Sequence, residues 1–156
     1  MSFRLYFGIF GLFVLAWQAQ AELETRAESS GYLATSSYAE VIEFCKELAE
    51  ESSRVVHTTF GQSGEKRDLP LLILSHDGIT EANERLTILC LGNIHAGEVC
   101  GKEALLMLAR DLARAEEPGL LEHVNLLVAP IYNADGNEKM ALDNRPGQDG
   151  PAEGMG

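Results

Sequence analysis

Two apolar runs, Leu86–Leu91 and Val124–Pro130, flank an amphipathic stretch, and this arrangement constrains the fold more than any other feature of the chain. Apolar runs of strand length, interrupted here only by Thr87 and Asn125, suit strands covered on both faces of a sheet. Between them, Glu98–Ala115 carries Leu105, Leu108, Ala109 and Leu112 at helical spacing, among the good helix formers Lys102, Glu103, Ala104 and Met107. Pro118-Gly119 ends that helix. A strand, a helix and a strand of these lengths make a βαβ unit, whose crossover is right-handed in nearly all cases. Leu86–Leu91 is expected to be a central strand.

Upstream, Ser37-x-x-Glu40 fits a capping box. Behind it Tyr38, Val41, Ile42, Cys45, Leu48 and Ala49 line one helical face as far as about Glu51. Arg54–Phe60 is rich in β-branched and aromatic residues and predicts a strand. Leu69–Leu74 predicts a second, with Pro70 near its start, where proline is tolerated. The turn region Gly61–Asp68 between them makes a hairpin. The expected fold class is α/β, a mixed and mostly parallel sheet flanked by helices. Residues 22–37 are polar and read as a flexible start. After Ile131 the pattern dissolves, and four of the 15 glycines fall in the last ten residues. Compact domains seldom close on such a loop, so the domain is expected to be incomplete at its C-terminal end.

The first 21 residues have a different character. Arg4 precedes an apolar run, Leu5–Trp17, and Ala19-Gln20-Ala21 supplies a small-x-small cleavage site. This is the pattern of a secretory signal peptide. A membrane span needs about 20 apolar residues, more than this run supplies. The mature chain, from residue 22, is expected to be exported, periplasmic or extracellular, with no stable membrane anchor. A net charge of −12 argues against nucleic acid as a partner, since phosphate binding needs a surplus of Lys and Arg. Cys45, Cys90 and Cys100 are an odd number, and no two have the spacing of a zinc site.

Candidate chemistry lies in Asn93-Ile94-His95-Ala96-Gly97-Glu98, just past the carboxyl end of the first apolar run. Open α/β sheets bind ligands there. A neutral imidazole and a carboxylate are good zinc donors, and His95 and Glu98 can share one ion if the loop turns back between them. Gly97 permits such a turn. A catalytic zinc takes three protein ligands, so a third must come from elsewhere. Glu98 also has an ordinary reading, as an acid near the positive end of a helix dipole. His57, His76, Glu103, Glu116, Glu117 and Glu122 read as ordinary strand, loop and helix residues. His123 falls at the amino end of the next strand, away from the site. The chain contains no P-loop, no G-x-S-x-G and no H-E-x-x-H.

Three segments in order resemble motifs of the zinc metallocarboxypeptidases related to carboxypeptidase A, in their bacterial branch. Gly61-Gln-Ser63-Gly-Glu65-Lys66-Arg67 is similar to the G-x-S-x-E-G-R turn, with Lys66 in place of glycine. Gly92-Asn-Ile-His95-Ala-Gly-Glu98 is similar to the I-H-A-x-E zinc signature. Tyr132-Asn133-Ala134-Asp135-Gly136 is similar to the N-P-D-G loop, with Ala134 in place of proline.

The resemblance covers Tyr38 to the last residue and implies an α/β/α zinc carboxypeptidase domain. It makes His95 and Glu98 zinc ligands and Asn133, Asp135 and Gly136 structural. It implies zinc as cofactor and removal of C-terminal residues from peptides by metal-activated water. The family's third ligand, a histidine, and its general base, a glutamate, belong further along than residue 156. These residues alone are therefore expected to be inactive. Asp143-Asn144-Arg145 is one residue short of the family's D-x-N-R segment and is not assigned to it. Two other functions remain: a zinc deacylase of N-acyl amino acids of the aspartoacylase type, and a non-catalytic binding module on the same fold.

Overall fold

A computed structural model of the chain describes residues 23–78 and 84–141. The signal-peptide pattern, the Gly/Pro-rich close and Asp143-Asn144-Arg145 lie outside the described residues.

The capping box predicted at Ser37 is present. Ser37 Oγ accepts from the Glu40 amide at 3.3 Å, and the Glu40 carboxylate accepts from the Ser37 amide at 2.7 Å. It starts the helix Tyr38–Glu51, here α2, which buries Val41, Phe44, Cys45 and Leu48. The strands β1 (Val55–Gln62) and β2 (Asp68–Leu74) form the expected antiparallel hairpin. In its turn Lys66 adopts φ 67°, the left-handed conformation that glycine takes without cost. That accounts for the glycine usual at this motif position. β3 (Leu86–Leu91), α3 (Val99–Arg114) and β4 (Val124–Ala129) form the βαβ unit, with β3 and β4 parallel.

The strand order is β1-β2-β4-β3, and β2 runs antiparallel to β4. The expected mixed sheet is therefore present, its parallel part among the described strands being β3–β4. Leu72 and Leu74 face the same side as Val128 and Leu126, their partners in register. On that side α2 and α3 close the core, where Val41, Leu48, Leu72, Leu74, Leu106, Ala109 and Val128 are all fully buried. Each such valine or leucine contributes about 1.5–3 kcal/mol by leaving water.

Three details differ from the sequence reading. β3 is an edge strand among the described residues, with Leu86 68% and Leu89 57% exposed. Its apolar run fits a strand with neighbours on both edges, but among the described residues only β4 pairs with it. α3 buries Lys102, Glu103, Leu106, Ala109 and Ala113, while Leu108 is exposed. The helix is turned toward α2 and β2, so the leucine stripe forms its flank and not its buried face. The polar start is also structured. Thr25 caps a one-turn helix α1 (Arg26–Ser29), and Glu28 makes two bonds, 2.6 and 2.9 Å, to the Arg110 guanidinium. Periodicity could not show this, because the segment is held by polar contacts and not by an apolar stripe.

Candidate metal site

Topology gathers three loops at one end of the sheet. β3 and β4 are parallel, so their carboxyl ends coincide. β2 opposes β4, which brings the 63–67 hairpin turn to the same end. His123, at the amino end of β4, lies at the opposite end of the sheet, as predicted.

The pairing of β3 with β4 continues beyond the strands. The Gly92 amide donates to Ala129 O, the Tyr132 amide to Gly92 O and the Asn133 amide to Asn93 O, each at 2.9 Å. Gly92 sits where loop, strand and helix meet. A Cβ there would lie 2.7 Å from Pro130 O and 3.1 Å from the Gly101 carbonyl carbon. Next, Asn93 is buried at φ 50°, and its side-chain amide leans on His95 O at 3.4 Å. Its own Oδ1 has no partner among the described residues. Gly97 takes φ 80°, which only glycine adopts readily, and the Glu98 amide reaches back to His95 O at 3.2 Å.

This turn brings the two candidate side chains together. His95 Nδ1 and Glu98 Oε2 are 3.1 Å apart, and the side chains are 63% and 42% exposed. Glu98 precedes the first residue of α3, yet its side chain makes no cap hydrogen bond to the helix. Two donors about 2.0–2.1 Å from one tetrahedral zinc lie about 3.3 Å from each other, so the pair fits as two of a zinc's donors. Among the described residues no three His, Cys, Asp or Glu side chains converge. His57 is half-buried on β1, where burial and Lys46 hold its ring below the usual histidine range. His76 sits 3.3 Å from Asp77, past the far end of β2.

In the sequence the 61–67 turn and the 133–136 loop are separate motifs. They are two halves of one structure. Asp135 accepts from Ser63 Oγ at 2.7 Å, from the Glu65 amide at 2.9 Å and from Arg67 Nη1 at 2.6 Å. Arg67 also reaches Glu65 at 2.7 Å, and Lys139 pairs with Glu65 at 3.0 Å. The Ser63 hydroxyl, the Glu65 amide and the Arg67 guanidinium together hold the Asp135 carboxyl below its usual range. A carboxylate with a depressed folded pKa adds stability above its unfolded value of about 3.9, lost as pH falls through the lower folded value. Asp135→Asn is therefore expected to lower the thermal midpoint at neutral pH and to flatten its fall below about pH 4. Thermal unfolding of both proteins across pH checks this, and parallel acid limbs would contradict it.

A family model described as zinc carboxypeptidase matches residues 41–152. Carboxypeptidase 2 of Trichophyton rubrum is 32% identical over 99 residues, covering 60% of this chain and 18% of that protein. Carboxypeptidase Z of Mus musculus is 33% identical over 115 residues, covering 69% of this chain and 17% of that protein. The crystal structure of carboxypeptidase A from Helicoverpa armigera superposes with a TM-score of 0.59 at 25% identity, over 64% of this chain and 25% of that one. A metallo-carboxypeptidase structure from Burkholderia cenocepacia, at 19% identity and a TM-score of 0.55, covers 65% of this chain and 28% of that one and shares the fold. The chain thus spans less than a fifth of these two curated relatives. The family is thus matched by fungal and mammalian relatives, and these matches do not single out its bacterial branch.

Proposed function

This chain belongs to the zinc carboxypeptidase family, whose model matches its residues 41–152, and from that membership we propose that it carries part of the site of an exported zinc-dependent carboxypeptidase. The single observation behind this reading is the 3.1 Å approach of His95 Nδ1 to Glu98 Oε2 at the carboxyl end of β3. His95, as a neutral imidazole, and Glu98, as a carboxylate, would hold the metal. Zinc bound there would acidify a water and polarise the scissile carbonyl. Gly97 turns the loop so that the two side chains meet, and Gly92 and Asn93 anchor the loop to the end of β4. Residues 38–156 then form the N-terminal portion of the catalytic domain, with a third ligand and a general base supplied from beyond them. The 18% and 17% coverage of the curated relatives supports that division. Export rests on the leader pattern of residues 1–21. No helix of the described residues is long and apolar enough to cross a membrane.

The test uses the full-length protein, with N-blocked dipeptides bearing a free or an amidated C-terminus and with N-acyl amino acids. Release from the free-carboxylate dipeptide alone, lost to a chelator and restored by zinc, is the expected result. Hydrolysis confined to N-acyl amino acids would replace it with the deacylase reading. Hydrolysis that does not depend on zinc would overturn the metal reading, and no hydrolysis at all would leave a binding module. Residues 1–156 alone are expected to release nothing.

A further inference from the structure

A fully buried lysine lies one helical turn beyond Glu98, and nothing in the proposed chemistry uses it. Lys102 is 0% exposed. Its ammonium donates to Ser36 O and, at 2.5 Å, to Asn137 Oδ1. Glu103 beside it is 5% exposed, and its carboxylate lies 4.0 Å from Lys102 Nζ. That carboxylate collects four donors from the N-terminal segment: Thr35 Oγ1 at 2.7 Å, the Ser36 amide at 2.6 Å, Ser36 Oγ at 3.1 Å and the Ala27 amide at 3.4 Å. Asn137 closes the circuit through its amide to Ser36 O at 3.3 Å.

We propose that Lys102 is a positioning residue, which locks the first turn of α3, the 133–137 turn and the N-terminal strap 23–37 into one hub and thereby sets the separation of His95 and Glu98. Both routes from the hub to the site are short. Toward Glu98 the connection is the first turn of α3 itself. Toward His95 it runs from Asn137, whose amide bonds Asn133 O at 3.0 Å, through the Asn133 amide to Asn93 O at 2.9 Å, and on to the loop that carries His95. The strap is anchored again further along α3, where Arg110 takes the Glu28 carboxylate and, at 3.0 Å, Leu23 O.

A buried ammonium is an expensive way to hold a helix. Burial pushes Lys102 down to about 8, against the pull of Glu103, Glu138 and Glu40. Replacing a whole buried ion pair by apolar side chains is often neutral, whereas removing one partner leaves the other charge buried and uncompensated. What an apolar residue cannot do is fix direction. The ammonium aims at carbonyl oxygens on two other segments, and that fixes the strap and the 133–137 turn against the first turn of α3.

The inference rests on the zinc reading, and its test separates the two. Lys102→Met keeps the bulk and removes the donors. Asn137→Ala is milder and carries the result if Lys102→Met fails to fold. In the full-length protein, zinc affinity is measured by competition with a chromophoric chelator. Hydrogen exchange of amides 92–101 is measured in the metal-free protein. Either variant, still folded by circular dichroism, is expected to bind zinc about 10-fold more weakly, the lower end of what loss of an outer partner costs a metal site. The 92–101 amides are expected to exchange faster. Loss of thermal stability with zinc affinity within twofold of the parent and unchanged exchange would overturn the positioning role. If the parent itself binds no zinc, the metal reading fails, and the hydrogen exchange alone then decides whether Lys102 positions the loop.

Discussion

The double variant His95→Ala/Glu98→Ala is expected to lose its zinc and all zinc-dependent hydrolysis while keeping its fold. Two of three ligands would go, and a single donor cannot retain the ion against bulk water. Disturbing only the outer partner of a metal ligand costs about 10- to 100-fold in affinity, so removing two inner donors is expected to exceed about 100-fold. The fold is expected to survive because the two side chains are 63% and 42% exposed. Truncations at exposed positions usually cost within about 0.5 kcal/mol. His57→Ala and His123→Ala serve as controls. The first lies on β1 and the second at the other end of the sheet, so both are expected to keep stoichiometric zinc. Elemental analysis after dialysis, with circular dichroism of the same samples, reads the outcome. A double variant that still carries one zinc per chain would place the metal elsewhere.

What could be read from the sequence followed periodicity. α2 was legible as far as about Glu51 because Val41, Cys45 and Leu48 repeat on one face behind a Ser37–Glu40 box, although the buried Phe44 lies outside the face read from the sequence. β3 was legible in extent, since its apolar run ends where Gly92 begins. Its place in the sheet was not, because an apolar run does not say which neighbour covers it. Nor was the burial of Lys102 and Glu103, which composition assigns to a solvated helix face. Their partners, Ser36 and Asn137, lie 66 and 35 residues from Lys102. The same holds for Asp135 and Arg67, 68 residues apart. Each half of that pair is visible as a motif, but only the antiparallel pairing of β2 with β4 brings the 63–67 turn to the end of β4. Local pattern thus located the candidate donors, while the polar contacts that brace them needed the fold.

Gly92→Ala is expected to damage both the fold and the site. The added methyl would lie 2.7 Å from Pro130 O, 3.0 Å from Leu105 Cδ1 and 3.1 Å from the Gly101 carbonyl carbon. The leucine can swing away, but the other two atoms are backbone. One of them follows β4, and the other lies in the first turn of α3. Relief therefore means parting the end of β3 from β4 or lifting α3 off the loop. The first movement breaks the 2.9 Å bonds that link Gly92 to Ala129 and Tyr132. The second moves Glu98 away from His95, because Glu98 directly precedes α3 and His95 follows Gly92. Overpacking of this kind costs about 1–3 kcal/mol. A displacement of about 1 Å at a preorganised site can cost about 100-fold in rate. Gly61→Ala is the matched control, since a methyl there meets nothing within 4 Å. Urea unfolding and zinc titration of both variants are the measurements. The expected outcome is a lowered midpoint and weakened zinc binding in Gly92→Ala, with Gly61→Ala close to the parent. Should Gly92→Ala unfold at the parent's urea concentration and bind zinc as tightly, the close approach of loop, strand and helix does not hold the two donors in place.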